Sequence, residues 1–404
     1  VPRNLVFAAA APTYDVLRFV RALAALDDVR LLGVFGRDAP ELATLCHEHV
    51  VISSPTDADA LTEATLALQR RHGRLHRVLG INEVLMVQLA QVRERLGVPG
   101  TPVRTAVLFR EKAAMKDALR AAGLPVARHA LVTSAREALA FAEANGFPLI
   151  IKPPAGVGAK ATFRVRDARE LAAALAAASP SEASPVLFEE LLRGSEHSFE
   201  TITVGGVTRA TSFSDYLPGC LEVLETPWIQ WACLLPREVD APGYAKAREA
   251  GLEAIRVLGL DDGMTHMEWF ARSDGSIAIG EIAQRPPGPQ LCQMTGLVHD
   301  VDIYRAWSRA VVDGAFDAPW ERRYAAGTAF LRGLGRGAVA AIRGVREAHA
   351  VLGPHLVEAR LPTIGKPKND SYEGDGYVVV RHESTAMVRR LITAAIETIK
   401  IHYA

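Results

Sequence analysis

No stretch in this 404-residue chain approaches the roughly 20 consecutive apolar residues that a membrane helix needs. The apolar opening, residues 5–11, is cut off by Pro12 and is weakly flanked, so it predicts a first strand rather than a signal peptide. Neither sign of charge is in excess: Lys and Arg total 46, as do Asp and Glu. No net field therefore draws the chain to nucleic acid or an anionic membrane, although a local cationic pocket stays open. There are four cysteines, Cys46, Cys220, Cys233 and Cys292, and none is paired at metal-hook spacing. Free thiols in a reducing cytoplasm are expected. Cys46-His47-Glu48-His49 is read as a polar helix end before a strand at 50–52. There is no internal repeat, and the Ala-rich segments are helix filler.

What is present is an ordinary globular composition, 49% hydrophobic and 23% charged, long enough for two or three domains. Residues 1 to about 105 alternate apolar runs (5–9, 29–34, 77–80) with helical spacing (14–26, 61–69, 84–96). That βαβ rhythm predicts an open parallel sheet, ended by Pro99-Gly100-Thr101-Pro102. An amphipathic helix follows over 110–122. Further on come a strand at Leu149–Lys152, a Gly-rich loop, a strand over 162–166 and a helix at Ala168–Ala178. A strand at Val186–Glu190 follows, and the chain ends in a helix over 384–400.

The loop Gly156-Val157-Gly158-Ala159-Lys160-Ala161 fits a dinucleotide fingerprint, but that fingerprint needs a helix directly after it. A strand follows instead, so the loop is read as a flap whose backbone N–H groups approach phosphates. Lys152 closes an apolar run, where an unpaired ammonium is costly to bury. Lys112 and Lys160 are nearby cations. Glu189, Glu190 and Glu196 form an acidic strand-to-loop junction.

Asp274-Gly275 between two apolar runs predicts a two-residue hairpin turn. In that register paired residue numbers sum to the sum of the two turn residues and Glu268 faces Glu281, whereas a turn of odd length would slip the register or leave one glutamate pointing to solvent. Opposed carboxylates repel. A cation between them reverses the penalty, and Mg²⁺ held by two carboxylates and nucleotide phosphates is the natural candidate. Arg285 shares the parity of Glu281 and points to the same place.

Taken in order, these segments resemble the ATP-grasp superfamily. Arg110-Glu111-Lys112-Ala113-Ala114-Met115-Lys116 is similar to its first-lysine helix. Phe147-Pro148-Leu149-Ile150-Ile151-Lys152-Pro153 is similar to its second-lysine strand. Phe188-Glu189-Glu190-Leu191-Leu192 with Glu196 resembles its adenine hinge and ribose carboxylate. Thr265-His266-Met267-Glu268 and Gly280-Glu281-Ile282-Ala283-Gln284-Arg285-Pro286 resemble its two magnesium strands. The resemblance covers roughly 110–290. It implies an α/β protein with an N-terminal parallel-sheet domain (1–107), an ATP-grasp domain with an antiparallel core (108–310, lid about 126–188) and a C-terminal region completing the core (311–404).

By position, the resemblance assigns ATP contacts to Lys112, Lys152, Gly156, Gly158, Glu189, Leu192 and Glu196. It assigns Mg²⁺ (or Mn²⁺) to Glu268 and Glu281, and catalysis to Arg285 and Lys160. Two positions depart from the family pattern. Ala283 replaces a frequent metal-binding Asn, and Gly158-Ala159-Lys160-Ala161 replaces a Gly-Ser-x-Gly loop. The strands most resemble those of L-amino-acid (dipeptide) ligases. The expected partners are a small-molecule carboxylate and an amine, not nucleic acid or membrane, and a homodimer is a common state among such families. The competing expectations are a purine-pathway-type enzyme acting on a ribonucleotide amine, a non-catalytic ATP-binding protein, and a nicotinamide enzyme.

Overall fold

The structure, a computed structural model, describes residues 2–156, 162–226, 228–288, 290–369 and 371–404. At the N-terminus, strands Arg3–Ala9, Val29–Phe35, Glu48–Val51 and Leu75–Leu79 form a parallel sheet in the order third, second, first, fourth. The first strand is buried along both faces, as a central parallel strand must be, so it reads as one apolar run rather than an alternation. Helix Tyr14–Ala24, capped by the Thr13 hydroxyl, buries Val16, Phe19, Val20 and Leu23 against that sheet. Burying each such side chain stabilises by about 1.5–3 kcal/mol. Glu48 and His49 belong to a strand, not a helix end. Glu48 pairs with Arg71 and His72, and no metal-binding group of three occurs among the described residues.

The core is an eight-stranded antiparallel sheet. Its order is Ile277–Ala283, Gly263–Ala271, Ser195–Val204, Val207–Leu217, Trp231–Leu235, Ala325–Leu331, Gly376–His382 and Leu356–Arg360. Side chains alternate across it. Phe199, Phe213, Met267 and Trp269 pack on helix Pro242–Leu258 behind the sheet. Glu196, Ser198, Glu200, His266 and Glu268 have the opposite parity and share the front. A smaller antiparallel sheet joins His129–Val132, Val186–Glu190, Leu149–Lys152 and Phe163–Val165, with helices Ala135–Asn145 and Ala168–Ala178 burying Ala138, Ala142 and Leu171 against it.

Three expectations need correction. The helix expected over 110–122 starts only at Lys112 and runs Lys112–Ala121; Glu111, whose backbone is extended, separates it from a preceding helix, Val103–Arg110. The break exposes the first N–H of the second helix, and Pro154 O accepts it at 3.2 Å. The last helix is Thr385–Thr398, and Lys400 begins a strand, Lys400–Tyr403, paired with Val339–Arg343. Ile401 is buried between exposed Lys400 and His402, a period of two that ends the helix. The Asp-Gly hairpin has a three-residue loop. Arg272 N–H donates to Ser276 O, and Gly275 takes a positive φ of 77°. Ala271 therefore pairs with Ile277, one residue off the expected register. A bulge at Gly280 restores it, so Glu268 does face Glu281.

Candidate functional site

A cleft of about 460 Å³ opens between the small sheet and the front of the core sheet. Lys112, Lys152, Gly156, Glu189, Leu192, Glu196, Glu268, Glu281 and Arg285 all line it. Gly158 and Lys160 lie outside the described residues. Residues more than 170 apart in sequence thus meet in one space, because both sheets present their ends to it.

Its centre is an alternation of charge. Lys112 Nζ lies 2.6 Å from Glu281 Oε1 and also donates to Gly156 O at 3.1 Å. Burial pushes the Glu281 carboxyl up, but Lys112 and Lys152 outweigh it and hold it down at about 2. Glu281 is therefore an ionised acceptor at any ordinary pH. Lys152 Nζ lies 2.8 Å and Lys116 Nζ 3.2 Å from opposite oxygens of Glu189. Burial pushes the Lys152 ammonium down, and Glu189 and Glu281 more than reverse it. The two lysines likewise hold the buried Glu189 carboxyl low. Lys116 is fully buried, and its pKa is lowered by that burial against the pull of Glu189. Lys116→Met strands half of the Glu189 carboxylate and deprives Gly280 O of a donor. A loss of about 3 kcal/mol is expected, read as a lower urea midpoint at an unchanged m-value.

Glu196 sits at the other end of the cleft. Gly194 has φ 144°, and a Cβ there would lie 2.1 Å from Ala271 O, so only glycine brings the chain into this strand so closely. Gly219 also lacks a Cβ where one would meet Glu196 Oε2 at 2.5 Å, which lets Cys220 N–H donate to that oxygen at 2.9 Å. Burial, with Glu268 adding to it, pushes the Glu196 carboxyl up to about 8. A raised carboxyl favours the fold fully below its ordinary pKa of 4.5, and that contribution is lost as pH rises through about 8. Glu196→Gln should therefore be more stable than the parent above about pH 8, by about 1 kcal/mol because the open cleft lets water screen part of the penalty. Paired urea titrations across that range check it, and equal slopes with pH would contradict it.

Arg285 leaves the second carboxylate strand and donates from Nε to Glu83 Oε2 at 2.7 Å. Glu83 Oε1 accepts from Arg110 at 3.0 Å, and Arg110 also binds the carbonyls of Ala155 and Gly156. Burial lowers the Arg285 pKa, and Glu83, Glu268 and Glu281 raise it above the ordinary value. His266 Nδ1 lies 3.0 Å from Glu200 Oε1, and its Nε2 lies 3.8 Å from Glu268 Oε1. Sequence reasoning gave no site role to Glu83, Arg110, Lys116 or His266. The position of Glu83, in the turn just past the carboxyl end of a parallel strand, is the signal that marks it.

The residues fit a divalent cation of the Mg²⁺ type. Two opposed carboxylates, one held ionised, with no third acidic or imidazole ligand grouped among the described residues, leave coordination positions for phosphate oxygens and water.

Comparisons with known proteins bear on the fold and on one region of the chain. Residues 111–201 match the family model for the carbamoyl-phosphate synthase L chain, ATP binding domain. A Bacillus subtilis L-arginine-specific L-amino acid ligase is 24% identical over 266 residues, 64% of this chain and 63% of the relative, so the chain spans less than two thirds of that relative's length. A Mycobacterium tuberculosis carbamoyl phosphate synthase large chain is 30% identical over 236 residues, 54% of this chain and 21% of the relative. Among solved structures, the L-amino acid ligase from Bacillus licheniformis superposes with a TM-score of 0.81 at 18% identity, covering 100% of this chain and 99% of the other. An Aspergillus clavatus carboxyaminoimidazole ribonucleotide synthase solved with ATP gives 0.74 at 17% identity, covering 98% of each. The ordered motifs resemble those of the ATP-grasp superfamily, residues 111–201 match an ATP-binding domain model, and the fold is shared with an L-amino acid ligase and a carboxyaminoimidazole ribonucleotide synthase.

Proposed function

We propose that the chain is an ATP-dependent carboxylate–amine ligase that joins small amino acids or related metabolites through an amide bond. The observation that carries this reading is the meeting of Glu268, Glu281, Lys112, Lys152 and Arg285 in one cleft. We divide the chain at 107 and 310, with residues 126–188 as a lid. Leu192 and the backbone at Glu189 flank adenine, and Glu196 accepts from the ribose hydroxyls. Lys112, Lys152, Gly156, Gly158 and Lys160 contact the phosphates. Glu268 and Glu281 would hold Mg²⁺, whose charge would offset that of the phosphates.

A carboxylate is a poor electrophile. Its oxygen attacks the γ-phosphorus of ATP, the bond to the bridging oxygen breaks, and ADP leaves an acyl phosphate. Such transfer is driven by positioning and charge neutralisation, which the lysines supply. Arg285 stabilises the anionic acyl phosphate and the tetrahedral species formed when the amine attacks. Collapse expels phosphate, the amine proton is lost, and the amide remains. The lid excludes water, which would otherwise hydrolyse the acyl phosphate. Hydroxylamine tests the first half directly: with Mg²⁺-ATP and the correct carboxylate it should yield a hydroxamate. Its absence across the L-amino acids, despite tight ATP binding, would remove amino acids as the activated class.

A further inference from the structure

The cleft extends past the carboxylate pair to a corner whose wall is aromatic. Tyr216, Trp231 and Tyr372 line it beside Cys220. Trp231 is 1% exposed, stacks on Phe330 at 4.4 Å between ring centroids, and is met edge-on by Tyr216 at 5.9 Å and Tyr372 at 4.7 Å. Its indole Nε1 is buried without an acceptor among the described residues. Buried indole N–H groups normally have one. The corner adjoins the chemistry: the Tyr216 hydroxyl lies 3.4 Å from His266 Nε2, and His266 is next to Glu268.

Among the described residues, this corner holds no carboxylate left free to pair with a cationic side chain. In the ligase reading Glu196 and Glu268 are taken by ribose and metal. Glu373, next to Tyr372, is already engaged, and Glu222 is exposed at the rim. Burying an ammonium or guanidinium without a free carboxylate is costly, and an acidic side chain would meet Glu268. Apolar surface against the tyrosine rings, which Trp231 backs from within the core, is favourable without any partner.

We infer that the aromatic corner of Tyr216, Trp231 and Tyr372 receives the side chain of the substrate whose carboxylate is activated, and that this side chain is large and uncharged, of leucine, methionine or phenylalanine size. The inference rests on the ligase reading for the orientation of that substrate.

The test is equilibrium binding of single L-amino acids to the protein saturated with Mg²⁺ and a non-hydrolysable ATP analogue, alongside ADP release with amino-acid pairs. Leucine, methionine or phenylalanine should bind about 10–200-fold more tightly than alanine or arginine, and should occupy the N-terminal position of any dipeptide formed. Tyr372→Ala should remove most of that margin with analogue affinity unchanged, which also shows that the variant folds. Cys220→Leu, which narrows the corner, should cut phenylalanine binding and spare alanine. Arginine or aspartate binding as tightly as leucine, or a ranking untouched by both variants, overturns the inference. A ranking that holds while no pair releases ADP supports the corner and fails the ligase reading instead.

Discussion

Glu281→Gln is expected to lower ADP formation by about 10³-fold, because it removes one of two charges on the cation that neutralises the transferred phosphoryl group. The side chain keeps its size, so packing is preserved. Lys112 loses its 2.6 Å ion pair and becomes a free cation beside Gly156. ATP affinity measured without metal should therefore hold or rise slightly, while metal-dependent affinity falls. The lysines hold this carboxyl down at about 2, so its contribution to stability, present above 4.5, is lost only as pH falls toward 2. The parent and the variant should thus share one pH–stability profile near neutrality. Steady-state ADP release and urea midpoints measure both halves. A variant with full activity would mean that Glu281 holds no catalytic cation.

Arg285→Ala should lower kcat/KM by about 10²–10³-fold, the loss typical of a donor aimed at developing negative charge. Its effect should fall on kcat, since the charge it stabilises forms only during reaction. Arg285→Lys should recover little, because an ammonium cannot hold Glu83 and an acyl phosphate with the fixed fork of a guanidinium. Glu83→Gln is informative beside it. Glu83 ties Arg285 to Arg110, and through it to the carbonyls at the stem of the phosphate loop. A loss confined to KM for ATP in all three variants would contradict the assigned role of Arg285.

The sequence carried the elements of the site better than their connections. Lys152, Glu268, Glu281 and Arg285 were legible because each closes or follows an apolar run whose period places it. Glu268 and Glu281 do face each other, but through two compensating shifts: a three-residue loop moves the register by one, and the bulge at Gly280 moves it back. No local pattern announces such a bulge except the glycine itself. Lys116 looked like another polar position on an amphipathic helix, and its burial depends on Glu189 arriving from a different sheet. Glu83 and Arg285 are 202 residues apart, a distance that periodicity does not cross. The break at Glu111 was hidden for a related reason. Its neighbours are good helix formers, and the acceptor for the Lys112 N–H that the break frees, Pro154 O, lies 42 residues further along the chain.

The most direct test of the central claim is simultaneous measurement of ADP, phosphate and product with Mg²⁺-ATP and pairs of L-amino acids. The account predicts ADP release that needs both members of a pair, matched one for one by phosphate and by an adduct lighter than the pair by one water, and cut about 10³-fold in Glu281→Gln. Absence of Mg²⁺-ATP binding, or ADP release that proceeds equally with no carboxylate present, would contradict it.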